Sequence, residues 1–197
     1  MKRDTLLTIV LSIFVVSVAT KMFLDSEAFN LKCIISSKNG NTYCVREREK
    51  VQEVVELLAK TSDKMEHLIR ALKSKYPERE NVKRLVNKCN PKKIMETLPT
   101  SKYTAYSENK GQKMAFCVTT EKSNSVLIDE NTLFFVALHE MAHVCTVSIG
   151  HNEEFWNNFR FLIHNAIQLK LYTAENYKKN PKPYCGMTIS DNPYYDM

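Results

Sequence analysis

Long runs of like charge, N-glycosylation sequons, internal repeats and low-complexity segments are all absent from this sequence, and glycine occurs only four times. The formal net charge of +6 is spread over intermixed lysines and glutamates, without a block of five like charges. That pattern is typical of a solvated surface and not of a nucleic-acid site, so no specific nucleic-acid partner is predicted. Because no asparagine begins an Asn-x-Ser/Thr sequon, a glycosylating lumen is disfavoured. The scarcity of glycine, beside abundant lysine and asparagine, indicates nucleotide-composition bias and carries no chemistry.

Charge is also absent from one N-terminal segment, where Leu6 to Thr20 follow the basic start MKRD. An uncharged run behind basic residues is typical of a membrane-insertion signal. The exit sequence SVATKMF is a poor signal-peptidase site, so we expect residues 1–24 to form an uncleaved transmembrane anchor. A cleaved signal peptide and a buried core helix are the alternatives. In a single-pass arrangement, residues 25–197 would lie on the non-cytosolic side of the membrane.

The remainder of the chain has the composition of one globular domain. Of the 197 residues, 44% are hydrophobic and 25% are charged, which is enough for a core that needs no disulfide scaffold. In an oxidising compartment, six cysteines would allow up to three disulfide bridges. Their pairing and redox state are left open by the sequence; the cysteines are Cys33, Cys44, Cys89, Cys117, Cys145 and Cys185.

A β-hairpin is predicted in CIISSKNGNTYCV, where apolar and polar residues alternate around Asn39–Gly40. If these two residues are the central turn residues, Cys44 lies opposite Ile35, and Cys33 is its diagonal neighbour on the same face. A Cys33–Cys44 disulfide is possible in that register, but it would be strained.

Helical and strand patterns both occur in the domain, which predicts an α+β fold. A long amphipathic helix is expected from about Arg46 to Tyr76, because apolar residues recur there every three or four positions. A shorter helix follows in NVKRLVNKC, and Pro91 and Pro99 then bracket a turn segment. Strands are predicted in KYTAYSENKGQKMAFCVTT and SNSVLID, and the tail KKNPKPYCGMTISDNPYYDM is predicted to be loop.

The segment ALHEMAHVC places two histidines and a glutamate in a strongly apolar helical pattern. His139 and His143 are four residues apart, so on a helix their imidazoles lie one turn apart on the same face and can bind one tetrahedral ion. Glu140 is one residue round from His139, where it can reach a metal-bound water without being a ligand. This is the His-Glu-x-x-His pattern, in which zinc activates a water and the glutamate accepts its proton.

A catalytic zinc site also needs a third protein ligand. Gly150 suits a left-handed helix C-terminus that reverses the chain, and the reversal would return His151 to the metal. Glu175 is the alternative ligand, and His164 is a further candidate. Cys145 points away from the metal by about 200° of helical rotation, which favours a core or disulfide role.

The motifs HEMAH, GH and HNEEFW resemble those of the zincin metallopeptidases, specifically the WLM and SprT-like group. The resemblance covers about Lys102 to Leu171, and the chain is also similar to membrane-anchored relatives in large DNA viruses. It implies a zincin-like small antiparallel or mixed sheet packed on the long N-terminal helix and the metal-bearing helix. It further implies that His139, His143 and His151 bind Zn²⁺ and that Glu140 is the catalytic base.

These observations together predict a zinc-dependent endopeptidase that acts on protein or peptide substrates and is attached to a virion or host membrane. The alternative is a catalytically inactive zinc-binding protein, or a structural or assembly protein of a membrane or virion. A hydrogen-bond donor for the tetrahedral oxyanion is expected as well. The sequence does not choose among the downstream tyrosines, which are Tyr172, Tyr184, Tyr194 and Tyr195.

Overall fold

The computed structural model describes residues 3–24, 31–122 and 126–196. These ranges contain five α-helices and two β-sheets, which confirms the α+β class. The helices are α1 (Arg3–Leu24), α2 (Val51–Lys75), α3 (Glu80–Lys88), α4 (Glu130–Cys145) and α5 (Glu153–Gln168). The strands are β1 (Leu31–Ile35), β2 (Thr42–Arg46), β3 (Ile94–Glu96), β4 (Ala105–Glu108), β5 (Lys113–Phe116), β6 (Lys182–Tyr184) and β7 (Met187–Ile189).

The larger sheet is mixed and has the strand order β1-β2-β3-β5-β4. The pairs β2–β3 and β3–β5 are parallel, whereas the outer pairs are antiparallel. Strand β3 lies inside the segment predicted to be only a turn between Pro91 and Pro99, so that prediction was wrong. A three-residue strand whose residues are all buried has no apolar–polar alternation that could reveal it.

The predicted N-terminal helix is present as α1, and its described apolar side chains are largely exposed, with Leu7 at 72% and Phe14 at 65%. The predicted transmembrane character is not supported, because no helix in the described ranges qualifies as long and apolar enough to cross a membrane.

The predicted hairpin forms, but its register differs from the one expected. Cys33 pairs directly with Cys44, and the two form a disulfide across β1 and β2. Residues 36–41 form the connecting loop, in which the Ser36 amide donates to the Asn41 carbonyl at 2.9 Å and the Gly40 amide donates to the Ser36 carbonyl at 3.0 Å. The Asn39 side-chain amide donates to the Tyr43 hydroxyl at 2.9 Å and to Asp63 Oδ1 at 2.8 Å, and the contact with Asp63 is remote in sequence.

The core lies between the sheet and helices α2 to α5. Helix α2 buries the apolar stripe that its periodicity predicted, including Val54, Leu58 and Met65, against β2 and α4. Helix α4 is apolar on nearly every side and is buried accordingly, since α2, α3, α5 and the sheet surround it. The metal-bearing helix is therefore the central element of the domain.

The C-terminal tail was predicted to be loop, and that prediction was wrong for part of it. Strands β6 and β7 form a hairpin whose turn holds Cys185 and Gly186 at φ values of 53° and 79°. A disulfide joins Cys185 to Cys117 at the end of β5, and the Cys185 amide donates to the Thr119 carbonyl at 2.9 Å. The residues that this hairpin contacts, Cys117 and Thr119, are thus remote from it in sequence.

Candidate metal centre

Helix α4 is stabilised at its N-terminus and buried along its length, which fixes the direction of its side chains. Asp129 caps it, since its carboxylate accepts from the Thr132 amide at 2.9 Å and from the Thr132 hydroxyl at 2.7 Å. The helix ends at Cys145, and Thr146 is the C-terminal cap. His139 and His143 consequently lie one turn apart on the same face, as predicted.

The chain reverses after α4 and returns to the same face. Gly150 has φ +89°, which confirms the predicted left-handed residue, but it lies within the connecting loop and not at the helix end. Asn152 then caps α5, where its side chain accepts from the Phe155 amide at 3.1 Å. This reversal places His151 opposite the two helix histidines.

The three imidazoles converge on one point. His151 Nε2 lies 3.1 Å from His139 Nε2 and 3.2 Å from His143 Nε2, and the candidate ligand atoms of all three residues lie within 4.8 Å of one another. Two nitrogens bound at about 2.0–2.1 Å to a tetrahedral zinc ion are about 3.3 Å apart. The observed spacing therefore fits such an ion, and a set of three imidazoles suits zinc better than magnesium or calcium.

Aromatic rings form the inner wall of the cluster. Phe155 lies 4.9 Å from the His139 ring and 4.4 Å from the His143 ring, measured between centroids, and Phe159 lies 5.3 Å from His139. Burial, together with the neighbouring imidazoles, lowers the pKa of His139 to about 3 and that of His143 to about 4. Both rings are held neutral at physiological pH, which is the form that binds a metal.

Glu140 is only 7% exposed, and burial raises the pKa of its carboxyl to about 7. A carboxyl of this kind can exchange a proton near neutral pH. Of the four tyrosines considered as oxyanion donors, Tyr184 is the one whose pKa is raised by burial and by the charge of Glu140. Its hydroxyl donates to the Thr104 carbonyl at 3.0 Å.

The other three tyrosines make the following contacts. Tyr172 and Tyr177 form a hydroxyl pair at 3.4 Å, and the Tyr195 hydroxyl donates to the Ala174 carbonyl at 3.2 Å. Tyr194 stacks edge-on against Tyr195 at 5.3 Å.

Both alternative ligands make other contacts. Glu175 accepts from Asn131 Nδ2 at 2.8 Å and forms an ion pair with Lys182 at 3.3 Å. His164 lies on α5 and is hydrogen-bonded to Gln168 at 2.8 Å. Neither belongs to the histidine cluster found among the described residues.

Two cavities adjoin His139, and both have predominantly apolar walls. One, of about 270 Å³, lies between α4 and the β6–β7 hairpin. The other, of about 330 Å³, lies between α4, α5 and the C-terminal turn. Phe135, His139 and Asp191 line both cavities.

Sequence reasoning missed the hairpin wall of the first cavity. It is formed by Tyr184 and by Met187 through Asp191, from a tail that has no strand-like alternation. The only available signal was Cys185, whose disulfide with Cys117 brings this wall to the sheet. The sequence does not specify that pairing.

Sequence comparison finds viral relatives of this chain. No protein-family model matches the chain. It is 29% identical over 188 residues to an uncharacterized protein of Acanthamoeba polyphaga mimivirus, which covers 95% of this chain and 93% of that protein. It is 37% identical over 82 residues to an uncharacterized protein of Invertebrate iridescent virus 6, which covers 41% of this chain and 44% of that protein.

Two solved structures resemble part of the chain. Wss1 from Saccharomyces cerevisiae is 17% identical with a TM-score of 0.34, over 40% of this chain and 60% of that chain. A Wss1 mutant from S. pombe is 23% identical with a TM-score of 0.31, over 44% of this chain and 81% of that chain.

Proposed function

We propose that the chain is a zinc-dependent endopeptidase in which His139, His143 and His151 hold the ion and Glu140 is the general base. The convergence of the three Nε2 atoms beside a buried glutamate is the observation that carries this proposal. A histidine triad with a neighbouring glutamate is the arrangement expected of a hydrolytic zinc site that keeps its fourth position open.

Zinc bound by three imidazoles supplies Lewis acidity and lowers the pKa of its water. Glu140 accepts the proton of the attacking water and then delivers it to the leaving amine. Burial raises the pKa of this carboxyl to about 7 in the metal-free site, and a bound dication would favour the carboxylate form that accepts the proton. Phe155 and Phe159 exclude bulk water from the inner side of the imidazoles and thereby keep His139 neutral.

The substrate class that fits this site is a protein or peptide. The two cavities beside His139 are too small for a large ligand, but each can accommodate one side chain of an extended chain that crosses the site. Their apolar walls favour apolar side chains next to the cleaved bond.

Two disulfides are typical of a protein that works in an oxidising compartment. We infer that residues 25–197 form the peptidase domain and function outside the cytosol, and that residues 1–24 are a separate segment. The viral relatives fit a virion as the setting. The second candidate function is an inactive zinc-binding protein that contributes to virion structure or assembly, in which the same three histidines would hold the ion.

Cleavage of an unfolded protein by the full chain tests the proposal. Wild type should cleave at neutral pH in a chelator-sensitive way, whereas Glu140→Gln should retain zinc and lose cleavage by at least about a hundredfold. Glu153→Gln is the matched control, since Glu153 is exposed on α5 and should leave cleavage unchanged. Zinc binding without cleavage in wild type would support the inactive alternative, and equal cleavage by Glu140→Gln would refute the general-base role.

A further inference from the structure

The segment between His143 and His151 contains a spacer loop, defined here as Thr146–Gly150, in which Thr146 is buried and the other four residues are exposed. Val147 is 62% exposed and Ile149 is 95% exposed, so apolar packing contributes little to the conformation of this loop. A segment without apolar packing becomes ordered only if polar contacts compensate for the conformational entropy that it loses. The position of His151 therefore depends on hydrogen bonds to the loop.

One side chain, Glu154, accepts hydrogen bonds from the loop at three points. Its carboxylate accepts from the Val147 amide at 3.0 Å, the Ser148 amide at 3.2 Å and the Ser148 hydroxyl at 2.7 Å. Arg84 on α3 approaches the same carboxylate at 3.5 Å. The donors from Ser148 and Val147 hold the pKa of Glu154 well below its usual range, at about 2, so it is ionised whenever the domain is folded.

Other side chains contact the loop as hydrogen-bond donors. Lys110 Nζ donates to the carbonyls of Thr146 and Val147, at 3.2 Å and 2.8 Å. The Asn152 side-chain amide donates to the Ser148 hydroxyl at 2.7 Å. The Asn158 side-chain amide on α5 donates to the Thr146 hydroxyl at 2.9 Å. Among the described contacts, Glu154 alone accepts from the backbone amides of Val147 and Ser148, so it ties the exposed part of the loop to the first turn of α5.

His151 lies in the chain between the loop residues Val147 and Ser148 and the residue that accepts their hydrogen bonds, Glu154. It follows Gly150 directly and precedes Glu154 by three residues, so closing Val147 and Ser148 onto Glu154 forms a tight ring of chain around it. Its side chain is exposed, and its ring lies 4.6 Å from the Phe155 ring and 5.8 Å from the Trp156 ring, measured between centroids. The Phe155 and Trp156 rings pack on the imidazole, and the ring of hydrogen bonds fixes the backbone of His151 so that Nε2 lies within 3.2 Å of both other imidazoles.

We propose that Glu154 is a positioning residue for the third metal ligand: it folds the long spacer so that His151 completes the site. This inference rests on the proposed zinc site. It assigns to Glu154 a role in metal affinity that its place outside the ligand set would not suggest.

Zinc affinity of the full chain, measured by competition with a chromophoric chelator, tests this role. Glu154→Ala should bind zinc about 10-fold more weakly, which is the lower end of the loss typical for residues that orient ligands. Glu154→Gln keeps one oxygen for the loop amides and should lose less. Glu153→Ala removes the same charge from the same helical turn without a loop contact, and should bind like wild type.

A double-mutant cycle with His151→Ala separates positioning from general stability. If Glu154 acts through His151, Glu154→Ala should cause no further loss of zinc affinity once His151 is removed. An equal loss in both backgrounds would overturn the positioning role, as would a Glu154→Ala protein with wild-type affinity. If Glu154→Ala fails to fold, Glu154→Gln carries the same cycle.

The two proposals fail in different ways in this experiment. If wild type binds no zinc, the proposed function and this inference both fall. If wild type binds zinc tightly and Glu154 has no effect on its affinity, the proposed function stands and only the role of Glu154 is lost.

Discussion

The Cys117–Cys185 disulfide should contribute more to stability than the Cys33–Cys44 disulfide, because it closes a longer loop. The first joins residues 68 apart in sequence and the second joins residues 11 apart. The chain-entropy relation gives about 4.4 kcal/mol for the longer loop and about 2.8 kcal/mol for the shorter one at 25 °C. Replacing each pair by alanine should therefore destabilise the domain unequally, by a difference of about 1.6 kcal/mol.

Urea denaturation in excess chelator measures the two losses, because metal binding then makes no contribution to stability. Cys117→Ala/Cys185→Ala and Cys33→Ala/Cys44→Ala lose the same atoms, but Cys117 and Cys185 are buried whereas Cys33 is exposed. Lost packing therefore adds to the larger loss, and the difference of about 1.6 kcal/mol is a lower limit. Thiol alkylation of the denatured wild type should label only Cys89 and Cys145, which are free and buried. Equal losses for the two double variants, or labelling of all cysteines, would refute this reasoning.

Three further outcomes follow from the described contacts. Glu96→Gln should destabilise the domain by about 3–5 kcal/mol in urea denaturation, because fully buried Glu96 is paired with two largely buried arginines, whereas exposed Glu47→Gln should cost little. The second outcome concerns metal-free Glu140→Gln protein, in which the titration of Glu140 no longer opposes that of His139. Its stability should fall as the pH drops from about 6.5 towards 3, because the unfolded state then binds a proton that buried His139, with its pKa near 3, does not bind. A stability measured by urea denaturation that stays constant over that range would contradict this. Met187→Asp should reduce cleavage of peptides with a large apolar side chain beside the scissile bond relative to cleavage of basic ones, because Met187 lines the smaller cavity; an unchanged preference would exclude that cavity from substrate binding.

Local periodicity was sufficient to predict the helix that carries the centre of the site. His139, Glu140 and His143 belong to one helix, so their relative placement follows from helix geometry alone. The reversal of the chain at Gly150, just before His151, was also predictable from the sequence, since few residues other than glycine adopt a positive φ.

Features that depend on distant contacts were not predictable in the same way. The observed hairpin register differs from the expected one, and its loop is held by contacts of Asn39 with Tyr43 and Asp63, the latter remote in sequence. Strand β3 is too short to show a period, and the β6–β7 hairpin depends on the disulfide to Cys117. Glu154 is one of two adjacent glutamates, and only the folded loop distinguishes it from Glu153.

Metal content of the purified full chain tests the central claim most directly. After incubation with zinc and removal of the excess, elemental analysis should find one zinc per wild-type chain. It should find none in the variant with His139, His143 and His151 all replaced by alanine, provided that circular dichroism shows this variant to be folded. A wild-type chain without zinc, or a triple variant that retains it, would contradict the assignment of these three histidines to one metal site.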